Sequence, residues 1–382
     1  MNENKNAMKK KSINERLKIT VIGCGACGNG ITAEIQKDVF ALEGNKDNAS
    51  FIGINTSTED LAAVNLDHKI HLNNSKGAAC NRENGVQDLA ESIETILPEL
   101  QSYIVEDSIV FIATSLGGGT GSAITPHLAF ILLELGYRVG IIAVLPSDNE
   151  SLKIKDNARQ TFNEIEELKP QLGSIFILDN NSADKQQINR TFASLFTSVM
   201  CINNKSQDGN MDLAEIEACL TTPSFSIITK VSRKNGNTAN IVEILNGNNN
   251  IFAKRDDKVV SVIGISEAVS AKDSSIDMAE LRKEIGTAPT EFHGYLSASE
   301  ENVIILSGLT MPYERVDAMA ESVDSKADII QNAMKATTQV RTANVSDVFR
   351  KPVMEAATQT ANKSKGLGMS ALADLRAKRI SK

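Results

Sequence analysis

The sequence predicts an α/β protein: a parallel sheet covered on both faces by helices, joined by a long central helix to a smaller α+β domain. Three observations carry this reading. Apolar runs of strand length alternate with runs of helix length from Lys18 to Leu178, the βαβ order of a parallel sheet. Phe192, Leu195, Phe196, Val199 and Met200 then recur at helical spacing, a core stripe on one long helix. After Pro223 the order of strands and helices changes, which marks a second unit.

Taken in order, residues 1–16 are polar and basic (Lys5, Lys9, Lys10, Lys11) and are expected to form a disordered arm. Strands are expected at 18–22, 51–54, 69–72, 108–113, 139–145 and 174–178, each a short apolar or β-branched run. Helices are expected at 29–40, 85–100, 123–135 and 154–168. These fill a first domain, 17–187, followed by the central helix, 188–204. The second domain, 205–312, carries expected strands at 224–231, 259–266 and 303–309 and helices at 241–245 and 278–285. A C-terminal helix over 313–340 is expected from Val316, Met319, Val323, Ala327 and Ile330 on one face. Residues 341–382 lose apolar density and read as a flexible basic tail.

Composition bounds the function. A chain of 382 residues with net charge −8 offers nucleic acid no bulk electrostatic attraction. No apolar run reaches the roughly 18 residues of a membrane span, and no secretory signal is evident. Five cysteines without such a signal suggest reduced thiols and a cytoplasmic protein.

The richest chemical signal is Gly117-Gly118-Gly119-Thr120-Gly121-Ser122, between an apolar strand and an apolar helix. Glycines let backbone N–H groups approach an anion closely, and the following helix directs the positive end of its dipole there. A second loop, Gly23-Cys24-Gly25-Ala26-Cys27-Gly28-Asn29, matches G-x-G-x-x-G. A dinucleotide site would place an acid at the end of the second strand, yet Asn55-Thr56-Ser57 stands there. Two glycine loops suit a mononucleotide with several phosphates. No G-x-x-x-x-G-K-[ST] occurs, which removes the P-loop class. Cys24 and Cys27 also form a C-x-x-C pair, with Cys80 further on, so a redox or metal role competes with simple packing of small residues.

The first strand and its glycine loop, the run Phe51 to Thr56, and Gly117 to Ser122 resemble the tubulin/FtsZ superfamily of GTPases. Within that superfamily, Leu178 to Asn181, Ile188 to Phe196 and Gly264-Ile265-Ser266 resemble the TubZ branch, the plasmid and phage tubulins of DNA segregation. That resemblance implies a GTP/GDP site with Mg²⁺. It implies nucleotide contacts from Gly23, Gly25, Ala26, Cys27, Gly28 and Asn29, from Asn55 and Thr56, and from Ala78, Ala79 and Asn81. It adds the main phosphate cradle, Gly117, Gly118, Gly119, Thr120, Gly121 and Ser122. Glu150 falls at the ribose loop, Asn180 at the base, and Asn189 on the central helix is the second candidate base contact. An arginine expected four residues after Glu150 is Ile154 here, so Lys153 or Lys155 substitutes or the contact is lost.

Asn210-Met211-Asp212-Leu213-Ala214-Glu215 is similar to the superfamily's N-x-D-x-x-[DE] loop. The resemblance assigns Asp212, Glu215 and Asn210 to catalysis on the neighbouring subunit's nucleotide. Carboxylates suit the orientation of an attacking water. The competing reading is an acidic helix start. A site split between subunits implies head-to-tail self-assembly and open filaments. The basic segment 363–382 has three readings: a solvated tail, a docking helix, or a direct contact with DNA or an acidic membrane surface. The resemblance favours docking to a DNA-bound adaptor of the TubR kind. The competing functions are an FtsZ-like cell-division protein and a Rossmann-type NAD-binding oxidoreductase.

Overall fold

The computed structural model describes residues 16–42, 46–72, 77–202, 209–247, 250–326, 328–329 and 331–332. The predicted N-terminal arm (to residue 15) and the basic tail lie outside them.

The chain opens with β1 (Ile19–Cys24), α1 (Gly25–Ala41), β2 (Ala49–Asn55), α2 (Thr58–Ala63), β3 (His68–His71) and α3 (Arg82–Tyr103). It continues through β4 (Ile109–Ser115), α4 (Thr120–Glu134), β5 (Arg138–Leu145), α5 (Leu152–Leu168), β6 (Ser174–Asp179) and the central helix α6 (Lys185–Met200). The second part is α7 (Leu213–Thr221), β7 (Ser224–Ser232), α8 (Thr238–Asn246), β8 (Val262–Glu267), α9 (Met278–Ile285), β9 (Thr290–Tyr295), β10 (Glu301–Leu309) and α10 (Tyr313–Asp324).

All strands belong to one sheet in the order β3-β2-β1-β4-β5-β6-β7-β10-β8-β9. The first six are parallel. Every residue of β1 and β2 is buried, so their sequences are continuous apolar runs rather than alternating ones. β10 pairs antiparallel with β7 and β8, which gives the second part its α+β character. The two parts join through three residue pairs between β6 and β7, Ser174 to Ser224 through Phe176 to Ser226. The order 3-2-1-4-5-6 reverses between β1 and β4. In a doubly wound sheet the crevice outside the carboxyl ends of those two strands is the ligand position.

The central-helix stripe is core, as its spacing predicts. Phe196 lies edge-on to Phe111 of β4, with centroids 5.2 Å apart, and Phe192 lies 5.6 Å from Phe176 of β6. Helix α6 packs against α1, and α10 packs along α5. The structure differs from the sequence reading in instructive places. The later residues of both glycine loops, from Gly25 and from Thr120, are wound into the first turns of α1 and α4, which therefore begin earlier than expected. Helix α6 starts at Lys185 because Asp184 caps it, accepting from Gln187 N at 3.0 Å. Short α2 and the edge strand β9 were not anticipated, and α7 realises the helix start that was the competing reading of Asp212 and Glu215. Helix α10 buries Val316, Met319 and Val323; residues 328–329 and 331–332 are also helical, while Ala327 and Ile330 lie outside the described residues.

Candidate functional site

Helix starts locate the site. Seven of the ten α-helices in the described residues are capped by a side chain: Ser57, Asn81, Ser151, Asp184, Asp212, Asn237 or Asp277. Helices α1 and α4 have no side-chain cap and no acid in the first turn. Their amino ends face one cleft of about 490 Å³ at the switch point. Uncapped first-turn N–H groups and two converging dipoles are the chemistry of an anion site.

Glycine permits this convergence. Gly25 has φ +72°, and a Cβ there would lie 2.9 Å from Gly121 N. A Cβ on Gly119 would lie 2.8 Å from Cys80 N, and one on Gly121 would overlap Cys24 O. A Cβ on Gly118 meets nothing within 4 Å, so this residue faces open space. The loop after β3 is bent to meet the cradle, with Ala79 at φ +50° and Cys80 at φ +58°, conformations that cost an L-residue energy. Asn157 of α5 fastens the two loops together. Its Nδ2 donates to Cys80 O at 3.0 Å, Gly117 O at 3.2 Å and Gly118 O at 3.3 Å. Thr56 and Thr120 join through hydroxyls 2.6 Å apart.

Among the residues expected from the sequence, Gly25, Ala26, Cys27, Asn55, Thr56, Ala78, Ala79, Gly117, Gly118, Gly119, Thr120, Gly121, Glu150 and Asn180 line the cleft. The others support it from behind. Gly23 and Gly28 give way to close packing: a Cβ on Gly23 would lie 2.7 Å from Asn29 Oδ1, and one on Gly28 would overlap Ala113 O. Asn29 is buried, with Nδ2 donating to Ile54 O at 3.4 Å. Asn81 turns its side chain to the α3 cap. Ser122 Oγ donates to Gly118 O instead of facing the cleft, because it sits inside the first turn of α4. Asn189 lies against α1, its Nδ2 3.4 Å from where a Cβ on Gly30 would stand.

Several contributors carry no local sequence signal. Lys185, the first residue of α6, lines the cleft and pairs with Glu150 at 2.6 Å. Arg82 ties α3 to α4 and α5 through Ser122 O at 3.3 Å, Gln160 Oε1 at 3.0 Å and Glu164. Asp60 lines the cleft and accepts from Asn55 Nδ2 at 3.3 Å. At the arginine position, Ile154 lines the cleft, while buried Lys155 donates to Asp148 O at 2.7 Å. The C-x-x-C thiols are poor nucleophiles, since burial pushes Cys24 up to about 12 and Cys27 up to about 11. No group of three metal-ligating side chains occurs among the described residues.

Asp212, Glu215 and Asn210 lie elsewhere. Asp212 caps α7, accepting from Glu215 N at 2.9 Å, and Glu215 accepts from Asp212 N at 2.9 Å. This reciprocal capping box engages one oxygen of each carboxylate. Asn210 Nδ2 donates to Ile202 O at 3.2 Å. Helix α7 crosses the amino ends of the strands: Glu217 pairs with Arg138, the first residue of β5, at 2.8 Å. Ser174, the first residue of β6, donates to Cys219 O at 3.0 Å. The cleft is at the other end, where Pro146 and Asn180 follow β5 and β6. An eight-residue strand spans roughly 26 Å. The acid pair and the cleft of one chain therefore stand at opposite ends of the sheet.

A doubly wound sheet with an anion cradle of two uncapped helix starts at its switch point defines a nucleotide-binding protein. Residues 18–188 match the Tubulin/FtsZ family, GTPase domain. The chain is 26% identical over 285 residues to the tubulin-like protein TubZ of Clostridium botulinum C phage, covering 73% of this chain and 76% of the relative. Its fold is that of the crystal structure of Clostridium botulinum phage c-st TubZ, with TM-score 0.70 and 24% identity over 83% of this chain and 99% of that one. It also matches the GTPγS-form protofilament of Bacillus thuringiensis serovar israelensis TubZ, with TM-score 0.66 and 16% identity over 89% and 99% of the two chains. No helix among the described residues is long and apolar enough to cross a membrane.

Proposed function

We propose that the chain is a self-assembling GTPase that hydrolyses GTP at head-to-tail subunit contacts and drives the segregation or positioning of plasmid or phage DNA. The carrying observation is the separation of the cleft from the acid pair. A group that cannot reach its own nucleotide can act only on that of a neighbour, and such a heterologous contact builds open filaments. The protofilament recorded for a TubZ of the same fold supports this reading.

In this account the first-turn N–H groups of α1 and α4 hold the phosphates, Glu150 accepts the ribose hydroxyls, and Asn180 contacts the base. The hydroxyls of Thr56 and Thr120 and the carboxylate of Asp60 bring oxygen donors to the cleft, which fits a hard cation such as Mg²⁺. When bound, Mg²⁺ offsets phosphate charge. Asp212 and Glu215 of the adjoining subunit orient the attacking water, with Asn210 beside them. The basic segment 363–382 docks a DNA-bound adaptor of the TubR kind in the cytoplasm.

Sedimentation with GTP and Mg²⁺ tests this proposal. Asp212→Asn retains a good N-cap but removes the charge, so it is expected to bind GTP and form polymers that outlast those of the parent. Fast turnover by this variant as a monomer would sink the model. Removing 363–382 is expected to abolish capture of the adaptor–DNA complex and leave GTP turnover intact.

A further inference from the structure

The cleft is lined by three charged side chains among the described residues, Asp60, Glu150 and Lys185, and only Lys185 is a cation. The positions where a cation was expected do not supply one. Ile154 lines the wall and packs on Gly117. The Lys155 ammonium is held by the Asp148 carbonyl at 2.7 Å, and Lys153 is exposed outside the lining. Lys185 reaches across to Glu150 Oε1 at 2.6 Å. The ammonium is thus held at Glu150 on a cleft wall that Cys27 of the first glycine loop also lines.

We propose that Lys185 is a nucleotide ligand: on binding, its ammonium exchanges Glu150 for the sugar-proximal phosphate of a guanine nucleotide, leaving Glu150 to accept the ribose hydroxyls. This rests on the reading of the cleft as the GTP site. An exposed ion pair contributes little by itself, so giving it up costs little. A phosphate offers more charge and more acceptor oxygens than one carboxylate, so the exchange runs toward the ligand. Lysine suits the role because its flexible stem carries a point charge that can swing between partners.

The test is mant-GDP fluorescence on the full chain, with GTP, GDP and GMP as competitors, for the parent, Lys185→Met and Lys185→Arg. Lys185→Met is expected to weaken all three nucleotides about tenfold, the effect of losing one charge-assisted contact. Lys185→Arg is expected to restore most of the affinity, and the salt dependence of binding is expected to flatten in Lys185→Met alone. The melting temperature without nucleotide is expected to stay unchanged. Parent-like binding by Lys185→Met, a loss confined to GTP, or a fall in the nucleotide-free melting temperature would each overturn the assignment. Failure of the parent itself to bind mant-GDP would instead overturn the reading of the cleft.

Discussion

Arg315 of α10 grips Asp179 at the end of β6, with Nε 2.7 Å from Oδ2 and Nη2 3.2 Å from Oδ1, and the same Nη2 donates to Pro146 O at 2.7 Å. One guanidinium from beyond the matched GTPase domain thus fixes both segments that carry Glu150 and Asn180. Arg315→Ala would strip Asp179, with 10% of its side chain exposed, of its counter-ion and leave only the Asn181 N–H on Oδ1 at 3.0 Å. The expected cost is about 2–3 kcal/mol, read from urea unfolding, together with faster mant-GDP release. Unchanged release would confine Arg315 to a purely structural role.

Glycine substitutions should separate tight packing from open space in the cradle. Gly119→Ala and Gly121→Ala force a Cβ against Cys80 N and Cys24 O. Each is expected to cost about 1–3 kcal/mol and to weaken nucleotide binding, checked by thermal melts and fluorescence titration. Gly118→Ala meets nothing within 4 Å and is expected to melt like the parent. A large loss of stability at position 118 would contradict the described loop geometry.

Asn157 deserves the same test from the rear of the cradle. Its single Nδ2 serves three loop carbonyls. Asn157→Ala is expected to destabilise by about 1–3 kcal/mol and to raise the GTP concentration needed for half-maximal turnover. If turnover and stability both match the parent, the two loops hold their positions without it.

Thiol labelling addresses redox chemistry directly. With Cys24 and Cys27 pushed up to about 12 and about 11 by burial, both stay protonated and unreactive through about pH 9. Iodoacetamide is expected to modify exposed Cys80 first, as read by mass spectrometry of peptides. Fast alkylation of Cys24 or Cys27 at neutral pH would revive a dithiol role.

The parallel half of the fold was legible because its strands are buried on both faces and read as unbroken apolar runs. Strand β9, with the sequence Thr290-Glu291-Phe292-His293-Gly294-Tyr295, is a half-exposed edge with no such run, so it gave no signal. Helix α7 was legible only as the competing reading of Asp212 and Glu215, an acidic helix start; their spacing is that of a capping box, which the structure shows. In the site, glycine loops announce themselves because backbone approach demands glycine. Lys185, Asn157 and Arg315 act across the fold, 35 to 169 residues from their partners in sequence, where no local pattern reaches. Asn189 shows the converse: with α6 beginning at Lys185, it lies beside Gly30 of α1 and is not among the cleft-lining residues.

The most direct test of the split site is phosphate release per subunit with GTP and Mg²⁺, measured across a range of protein concentrations alongside light scattering. The account predicts that release per subunit stays near zero until scattering appears and then rises with it, because Asp212 and Glu215 reach a nucleotide only across a contact. Release per subunit that is constant at all concentrations, with no scattering, would contradict it.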